Sequence, residues 1–226
     1  MSALTKSPTL PPRVGSTKPI SRPSVPSTPR HKPQHSQRPV VFSWNYFLCP
    51  VAWIQRHWKD ITNEDRKTLA RLDRSIVSVL LHARTLGPVY VLCEGGAAFV
   101  ETLCRSLFPE CAMLFSSIAM QEQIKLVCAA TPISPTWHGH MLQFVVCQRA
   151  SQLGVNLTVF GQTSLRNGCA ALRRSHSEHT LRRIKMIQTS VAHPTVNEVL
   201  NRLEVVQENL ALIVAFDDNI DSVLSL

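Results

Sequence analysis

The stretch that decides the fold is Val40-Val41-Phe42-Ser43-Trp44-Asn45-Tyr46-Phe47-Leu48-Cys49-Pro50. Its first four residues form a short run of β-branched and aromatic side chains, which predicts a buried strand. A loop follows, and Pro50 closes it. In a parallel sheet, ligands bind at the carboxyl ends of the strands, so the loop after this first strand is where function is expected.

Strand-like and helix-like segments alternate along the rest of the chain. The pattern predicts a helix over about 63–86 with Thr62 as N-cap, a strand at 89–93, a helix at 97–107, a third strand at 112–118, a helix at 136–152, a strand at 156–160, a polar helix, a strand near 183–188, and an amphipathic helix after Thr195. The strands are short and continuously apolar. Such alternation predicts an α/β, doubly wound (Rossmann-like) domain with a mostly parallel sheet and helices on both faces.

Residues 1–39 differ from the rest of the chain in composition. They contain nine of the fifteen prolines and seven Lys/Arg, and they contain no acidic and no aromatic residue. Their charge is +7 of the total +9, which leaves the difference of +2 on residues 40–226. The sequence therefore predicts a disordered basic Pro/Ser-rich tail over 1–39 and one α/β domain over 40–226.

Targeting signals and cysteine usage give an expected location. The chain has no apolar core typical of a secretory signal and no apolar run of 18 residues. Its seven cysteines are odd in number and include no C-x-x-C pair, which is typical of small core residues in a reducing compartment. We expect a cytoplasmic protein, with the nucleus as the alternative, and no contact with a membrane.

The loop after the first strand resembles the opening motif of the haloacid-dehalogenase-like phosphohydrolases. The resemblance is to a protist-type variant, Leu-Asp-Trp-Asp-Asp-Thr-Leu followed by an apolar residue and Pro, and Trp44, Leu48 and Pro50 match it. In that family the first Asp attacks phosphorus, and the Asp two residues later is the acid/base. Ser43 and Asn45 stand at these two positions.

Three later loops resemble the family pattern in the same order. Cys93 stands where a phosphate-binding Thr is expected, His138 takes the place of a cationic Lys, and Gln162 replaces a metal-binding Asp. The end of the chain, from Lys185-Met186 through Pro194 and a helix to Asp221, also follows the closing pattern of the variant. The resemblance implies a haloacid-dehalogenase-like domain with degenerate catalytic motifs.

The replacements predict that the chemistry has been lost. Asn45 cannot accept a proton as a carboxylate does, and neutral Ser, Asn and Gln oxygens are poor ligands for Mg²⁺. We therefore expect no catalytic residue, no metal and no cofactor, and a pseudophosphatase that acts as a binding or scaffold module for a protein partner. Ser43, His138 and Thr163 are the candidate ligand-binding residues, because a cleft without carboxylates repels a small anion less.

Two alternatives remain open from the sequence. An active hydrolase or phosphatase would use Ser43 or Cys93, with a base about 3 Å away, and His138 is the obvious candidate for that base. Weak nucleic-acid or polyanion binding would use the tail and residues 166–185, and it requires one continuous basic face. The nearly neutral charge of the predicted domain makes nucleic-acid binding the weaker alternative. The basic residues of 166–185 are Arg166, Arg173, Arg174, Arg182, Arg183 and Lys185.

Overall fold

A computed structural model describes residues 37–130, 133–149 and 154–225. The disordered tail predicted over 1–39 therefore lies outside the described residues, apart from its last three positions. At those positions the carbonyl oxygen of Gln37 accepts a hydrogen bond from the N–H of Asn156 at 2.8 Å, and that of Pro39 accepts one from Thr158 at 3.0 Å. Residues 37–39 thus lead directly into the first strand.

In the part of the chain that the structure describes, six parallel strands form one sheet. They are β1 (Val40–Ser43), β2 (Val89–Cys93), β3 (Ile124–Cys128), β4 (Val155–Gly161), β5 (Leu181–Thr189) and β6 (Ile220–Leu224). Their order across the sheet is β3-β2-β1-β4-β5-β6, and every neighbouring pair is parallel. This is the strand order of a doubly wound fold, so the predicted fold class is confirmed. The order reverses between β1 and β4, which puts the expected ligand crevice at the carboxyl ends of these two strands.

Helices cover both faces of the sheet. They are α1 (Val51–His57), α2 (Asn63–Leu86), α3 (Ala97–Leu107), α4 (Pro109–Ser116), α5 (Ile118–Gln121), α6 (Trp137–Arg149), α7 (Thr163–Ser175) and α8 (Val196–Ala215). Side chains of β1 alternate between two cores, because successive residues of a strand point to opposite faces. Val40 and Phe42 pack with α2, α3, α4 and α8, whereas Val41 packs with α6 and α7. Among the described residues, no helix is both long and apolar enough to span a membrane.

The predicted boundaries of α2 are confirmed. Thr62 caps its first turn: the Thr62 hydroxyl accepts a hydrogen bond from the N–H of Asp65, whose carboxylate accepts one from the Thr62 N–H. Gly87 follows the last residue of the helix. A Cβ atom at Gly87 would lie 2.0 Å from the carbonyl oxygen of Arg38, so the chain leading into β1 requires glycine there.

The third strand predicted over 112–118 is wrong, because that segment belongs to helices. Residues up to Ser116 form α4, and the third strand is β3 at Ile124–Cys128. A short apolar run is compatible with either a buried strand or a buried helix. Pro109 at the start of α4 favours a helix, and the carboxylate of Asp73 accepts hydrogen bonds from the N–H groups of Glu110 and Cys111 at 2.7 and 2.9 Å.

The predicted helix to Asp221 is also wrong. α8 ends at Ala215, and residues 220–224 form β6, which pairs with β5 from Lys185↔Ile220 to Thr189↔Leu224. Arg166 of α7 holds this edge strand through hydrogen bonds to both carboxylate oxygens of Asp221. The tertiary pairing therefore sets the secondary structure of this segment. The pattern also missed α1, and the predicted end of α6 at 150–152 lies outside the described residues.

Candidate functional site

Ser43 and Gln162 meet across the point where the strand order reverses. Ser43 is the last residue of β1, and Gln162 directly follows β4. The Ser43 hydroxyl is 2.7 Å from the carbonyl oxygen of Asn45 and 2.9 Å from Oε1 of Gln162. Because a hydroxyl carries one hydrogen, these two acceptors share it.

Asn45 joins the loop after β1 to the loop after β2. Its side-chain Oδ1 accepts a hydrogen bond from the N–H of Glu94 at 3.0 Å and one from the Cys93 thiol at 3.4 Å. The side chain of Asn45 is buried. The position where the resemblance implies an acid/base thus holds a neutral amide that accepts from two donors.

Glu94 connects the remaining two loops. Its Oε1 accepts a hydrogen bond from Nε2 of Gln162 and lies 3.1 Å from Nε2 of His138, at the start of α6. The carboxylate needs a donor, so it fixes the orientation of the Gln162 amide: Nε2 faces Glu94 and Oε1 faces Ser43. The His138 side chain is 9% exposed and that of Glu94 is 22% exposed. Glu94 is therefore the acidic group on the rim of the cluster.

The five residues that the resemblance places at motif positions lie in one hydrogen-bonded network with Glu94, which we call the loop cluster. It consists of Ser43, Asn45, Cys93, Glu94, His138 and Gln162. Thr163, the third candidate ligand residue, makes a different contact. Its hydroxyl accepts a hydrogen bond from Nε2 of Gln188 at 3.0 Å, and its side chain is exposed at the first position of α7.

Sequence reasoning did not assign a role to Glu94. The signal was present, because a carboxylate directly after a buried strand and before two glycines lies at the functional edge of a parallel sheet. The loop cluster is consequently not free of carboxylates, even though the positions of the expected catalytic acids hold Ser43 and Asn45. The carboxylate of the loop cluster is that of Glu94, which lies in the loop after β2.

The loop after β1 has an unusual backbone conformation. Tyr46 has a φ of 67°, a left-handed conformation that costs a residue other than glycine about 1 kcal/mol. Arg202 of α8 donates from Nη1 to the carbonyl oxygens of Tyr46 and Phe47, and its guanidinium lies 5.3 Å from the centre of the Phe47 ring. Burial lowers the pKa of Arg202 to about 10. A buried guanidinium thus stabilises the turn that presents Ser43 and Asn45.

The loop cluster does not pair a nucleophile with a base. The hydrogen bonds among the described residues link Ser43 to Gln162 and His138 to Glu94, and none of them joins His138 to Ser43 or Cys93. The neighbouring Cys128 thiol and burial raise the pKa of Cys93 well above its ordinary value. Cys93 is therefore a protonated thiol at neutral pH, and the thiol is a much weaker nucleophile than the thiolate.

The basic residues of 166–185 do not form one free face. Lys185 is buried, and its Nζ donates to the carbonyl oxygen of Val214 at 2.7 Å. Arg166 forms an ion pair with Asp221 at 2.8 Å, and Arg173 donates to the side chain of Asn219. These contacts reduce the positive charge that this surface offers to a polyanion.

Neither metal ligands nor known relatives identify the site. Within the part of the chain that the structure describes, no group of three or more His, Cys, Asp or Glu side chains could hold a metal ion. Comparison with protein-family models, with curated proteins and with solved structures finds no match for this chain. Any proposal about function therefore depends on the geometry of the loop cluster.

Proposed function

We propose that residues 40–226 form a catalytically inactive, haloacid-dehalogenase-like domain, a pseudophosphatase that works as a binding or scaffold module for a protein partner. One observation carries the proposal. The groups at the expected catalytic positions hydrogen-bond to one another, at the edge of the sheet where a doubly wound domain would hold its substrate. The similarity to the family depends on the order of the motifs along the chain.

The loss of activity follows from what these groups can do. Aspartyl-phosphate chemistry requires a carboxylate nucleophile, a second acid and a cation that balances the phosphoryl charge. Ser43 and Asn45 are neutral, and the hydroxyl hydrogen of Ser43 is shared between two acceptors that are not bases. Glu94 could supply one carboxylate, but its Oε1 already contacts Gln162 and His138.

The rim of the loop cluster favours a hydrogen-bond donor over an anion. Glu94 is the most exposed charged group of the network, and a carboxylate repels phosphate. A Lys or Arg side chain of a partner would complement it, whereas a small anion would be repelled by it. We accordingly propose a partner that presents a basic side chain to Glu94, with a small anion as the less favoured ligand.

A phosphatase assay tests the inactive state. The full chain with Mg²⁺ and p-nitrophenyl phosphate should show no turnover above the uncatalysed rate, and a variant with Ser43→Asp and Asn45→Asp is the matched comparison. Turnover by the wild-type chain that requires Mg²⁺ would overturn the proposal. Turnover by the double variant alone would support both the family and the loss.

A titration tests the binding rim. We expect N-acetyl-arginine amide to shift the NMR signals of Glu94 and His138, with at least tenfold weaker binding by a Glu94→Gln variant. Inorganic phosphate at the same concentrations should leave these signals unchanged. Phosphate binding in preference to the arginine derivative would contradict the assignment of Glu94 as the recognition group.

The contact between Glu94 and His138 also supports one alternative. A carboxylate that orients a histidine is part of the serine-hydrolase triad, and it would serve a nucleophile that moved within reach of His138. An ester such as p-nitrophenyl acetate tests this possibility. Hydrolysis that is lost in both Ser43→Ala and His138→Ala would favour the hydrolase, and unchanged background hydrolysis would leave the binding module as the better account.

A further inference from the structure

Two cysteines end neighbouring strands directly opposite each other. Cys93 is the last residue of β2, Cys128 is the last residue of β3, and the two are partners in the register of the parallel pair. The N–H of Ala129 donates to the carbonyl oxygen of Cys93 at 2.8 Å, so the backbones stay paired to the ends of both strands. Neighbouring strands lie about 4.8 Å apart, which is within the range of Cα separations found in disulfides.

The two thiols are accessible to different degrees. Cys93 is fully buried, whereas Cys128 is partly exposed and lines a cavity of about 470 Å³. Cys104 also lines this cavity, together with apolar residues of α3 and α4. A small oxidant that enters the cavity therefore reaches Cys128 before Cys93.

The contact between the two thiols shifts their pKa values in opposite directions. The neighbouring Cys93 side chain lowers the pKa of Cys128, and the Cys128 side chain and burial raise the pKa of Cys93. The accessible thiol is thus the one that forms a thiolate more readily. Because the thiolate is the reactive species towards peroxides, exposure and acidity select the same residue.

We propose that Cys93 and Cys128 form an oxidation site in which a peroxide converts the two thiols into a disulfide. The Cys128 thiolate attacks one oxygen of hydrogen peroxide, an S–O bond forms, the O–O bond breaks, and the departing hydroxide takes up a proton to become water. The Cys93 sulfur then attacks the Cys128 sulfenic acid. The S–S bond forms, the S–O bond breaks, and the hydroxide leaves as water with the proton of Cys93. Two thiols are oxidised, and one peroxide is reduced to two waters.

Oxidation would change the loop cluster. Cys93 donates its S–H to Oδ1 of Asn45, and a disulfide sulfur has no hydrogen to donate. The oxidation site does not depend on whether the loop cluster binds a partner.

Peptide mapping of the full chain tests the proposal. Reduced protein is treated with hydrogen peroxide, quenched with catalase, alkylated in denaturant and digested with Glu-C and chymotrypsin, which together separate Cys93 from Cys104 and Cys128 from Cys147. We expect a linked pair of peptides that contain Cys93 and Cys128, released by a reductant. A Cys147→Ser variant, which removes an exposed thiol on α6, should give the same link.

Two other results would overturn the assignment. The first is a disulfide link between Cys128 and Cys104. The second is the recovery of Cys128 in its alkylated form, which means that peroxide did not oxidise it, from protein in which the exposed Cys147 was oxidised. In a Cys93→Ser variant, Cys128 lacks its proposed partner and should proceed to sulfinic acid, with a mass increase of two oxygens. If this variant fails to fold, the wild-type map alone still decides the pairing.

Discussion

Arg202 of α8 donates a hydrogen bond to the carbonyl oxygen of Tyr46, which lies 156 positions earlier in the chain. The N–O distance is 2.5 Å, and a second bond from the same nitrogen reaches Phe47 at 3.2 Å. The left-handed turn at Tyr46 is therefore stabilised by the last helix of the domain. The geometry of the first loop depends on residues near the end of the chain.

Arg202→Met should destabilise the protein. The substitution leaves the carbonyl oxygens of Tyr46 and Phe47 without their donor, at a cost of about 1–3 kcal/mol each, while removing a buried charge offsets part of that cost. We expect the free energy of unfolding in urea to fall by about 2 kcal/mol. Glu204→Gln on the exposed face of α8 is the control and should change it by less than about 0.5 kcal/mol. Equal stability of both variants would show that the guanidinium contributes nothing to the turn.

Glu94→Gln should weaken the loop cluster without unfolding the domain. The carboxylate contacts both Gln162 and His138, and bonds to a charged acceptor contribute about 1.5–3 kcal/mol when buried. Partial exposure reduces this contribution, so we expect a loss of about 1 kcal/mol in the free energy of unfolding. Glu101→Gln, which removes an exposed ion pair with Arg105, is the matched control with little effect. A loss no larger than the control's would mean that Glu94 is not a structural member of the network.

Asp73→Ala should destabilise α4. Asp73 lies on α2 and accepts hydrogen bonds from the first free N–H groups of α4, as a capping residue does. We expect a loss of about 2 kcal/mol by urea denaturation, because the two donors are left buried or partly buried. Asp73→Asn retains one acceptor oxygen and should lose less. An Asn variant as unstable as the Ala variant would contradict a role in capping.

Because Lys185 is buried, we expect its titration to make the folded protein more stable as the pH rises from about 8 to 10.5. Burial lowers the pKa of Lys185 to about 8, from an ordinary value of 10.5. Below pH 8 both states hold the proton, and the folded state bears the full cost of burying the charge. Between pH 8 and 10.5 the folded state releases the proton while the unfolded state keeps it, so this contribution increases stability as the pH rises.

Comparison with Lys185→Met isolates this contribution from the titration of the cysteines. Urea denaturation under reducing conditions at pH 7, 8, 9 and 10 should show the wild-type protein gaining stability relative to the variant. Lys67→Met, at an exposed position of α2, is the control for replacing a lysine by methionine. A difference between the wild type and Lys185→Met that stays constant from pH 7 to pH 10 would contradict a lowered pKa of Lys185 in the folded protein.

Local sequence was sufficient to predict a helix or strand where the residues that start, stop and bury the element lie within it or beside it. The capping box of Thr62 and Asp65, the apolar stripe of α2 and the Gly87-Pro88 stop all lie within or beside the helix that they define. The predicted strands at 89–93 and 156–160 are likewise short apolar runs between turn residues, and both are present. Interactions between residues close in sequence determine such elements, so they can be predicted without knowledge of the fold.

Local sequence failed where a distant partner decides the structure. The run at 112–118 could be a strand or a helix, and Asp73 of another helix caps it as a helix. Residues 220–224 become a strand because β5 provides an edge for pairing and Arg166 binds Asp221. In both segments the deciding hydrogen bonds join residues more than 30 positions apart, and no pattern in the segment itself encodes them.

The same distinction between local sequence and tertiary structure applies to the candidate site. The sequence by itself determined a doubly wound domain, the loops in which function was expected, and the neutral residues at the expected catalytic positions. Only the tertiary structure decided that these residues bond to one another, that Glu94 joins them, and that Cys93 lies beside Cys128. The physical reason is that backbone propensity acts over a few residues, whereas the partner of a buried polar side chain is set by which strand ends pack together.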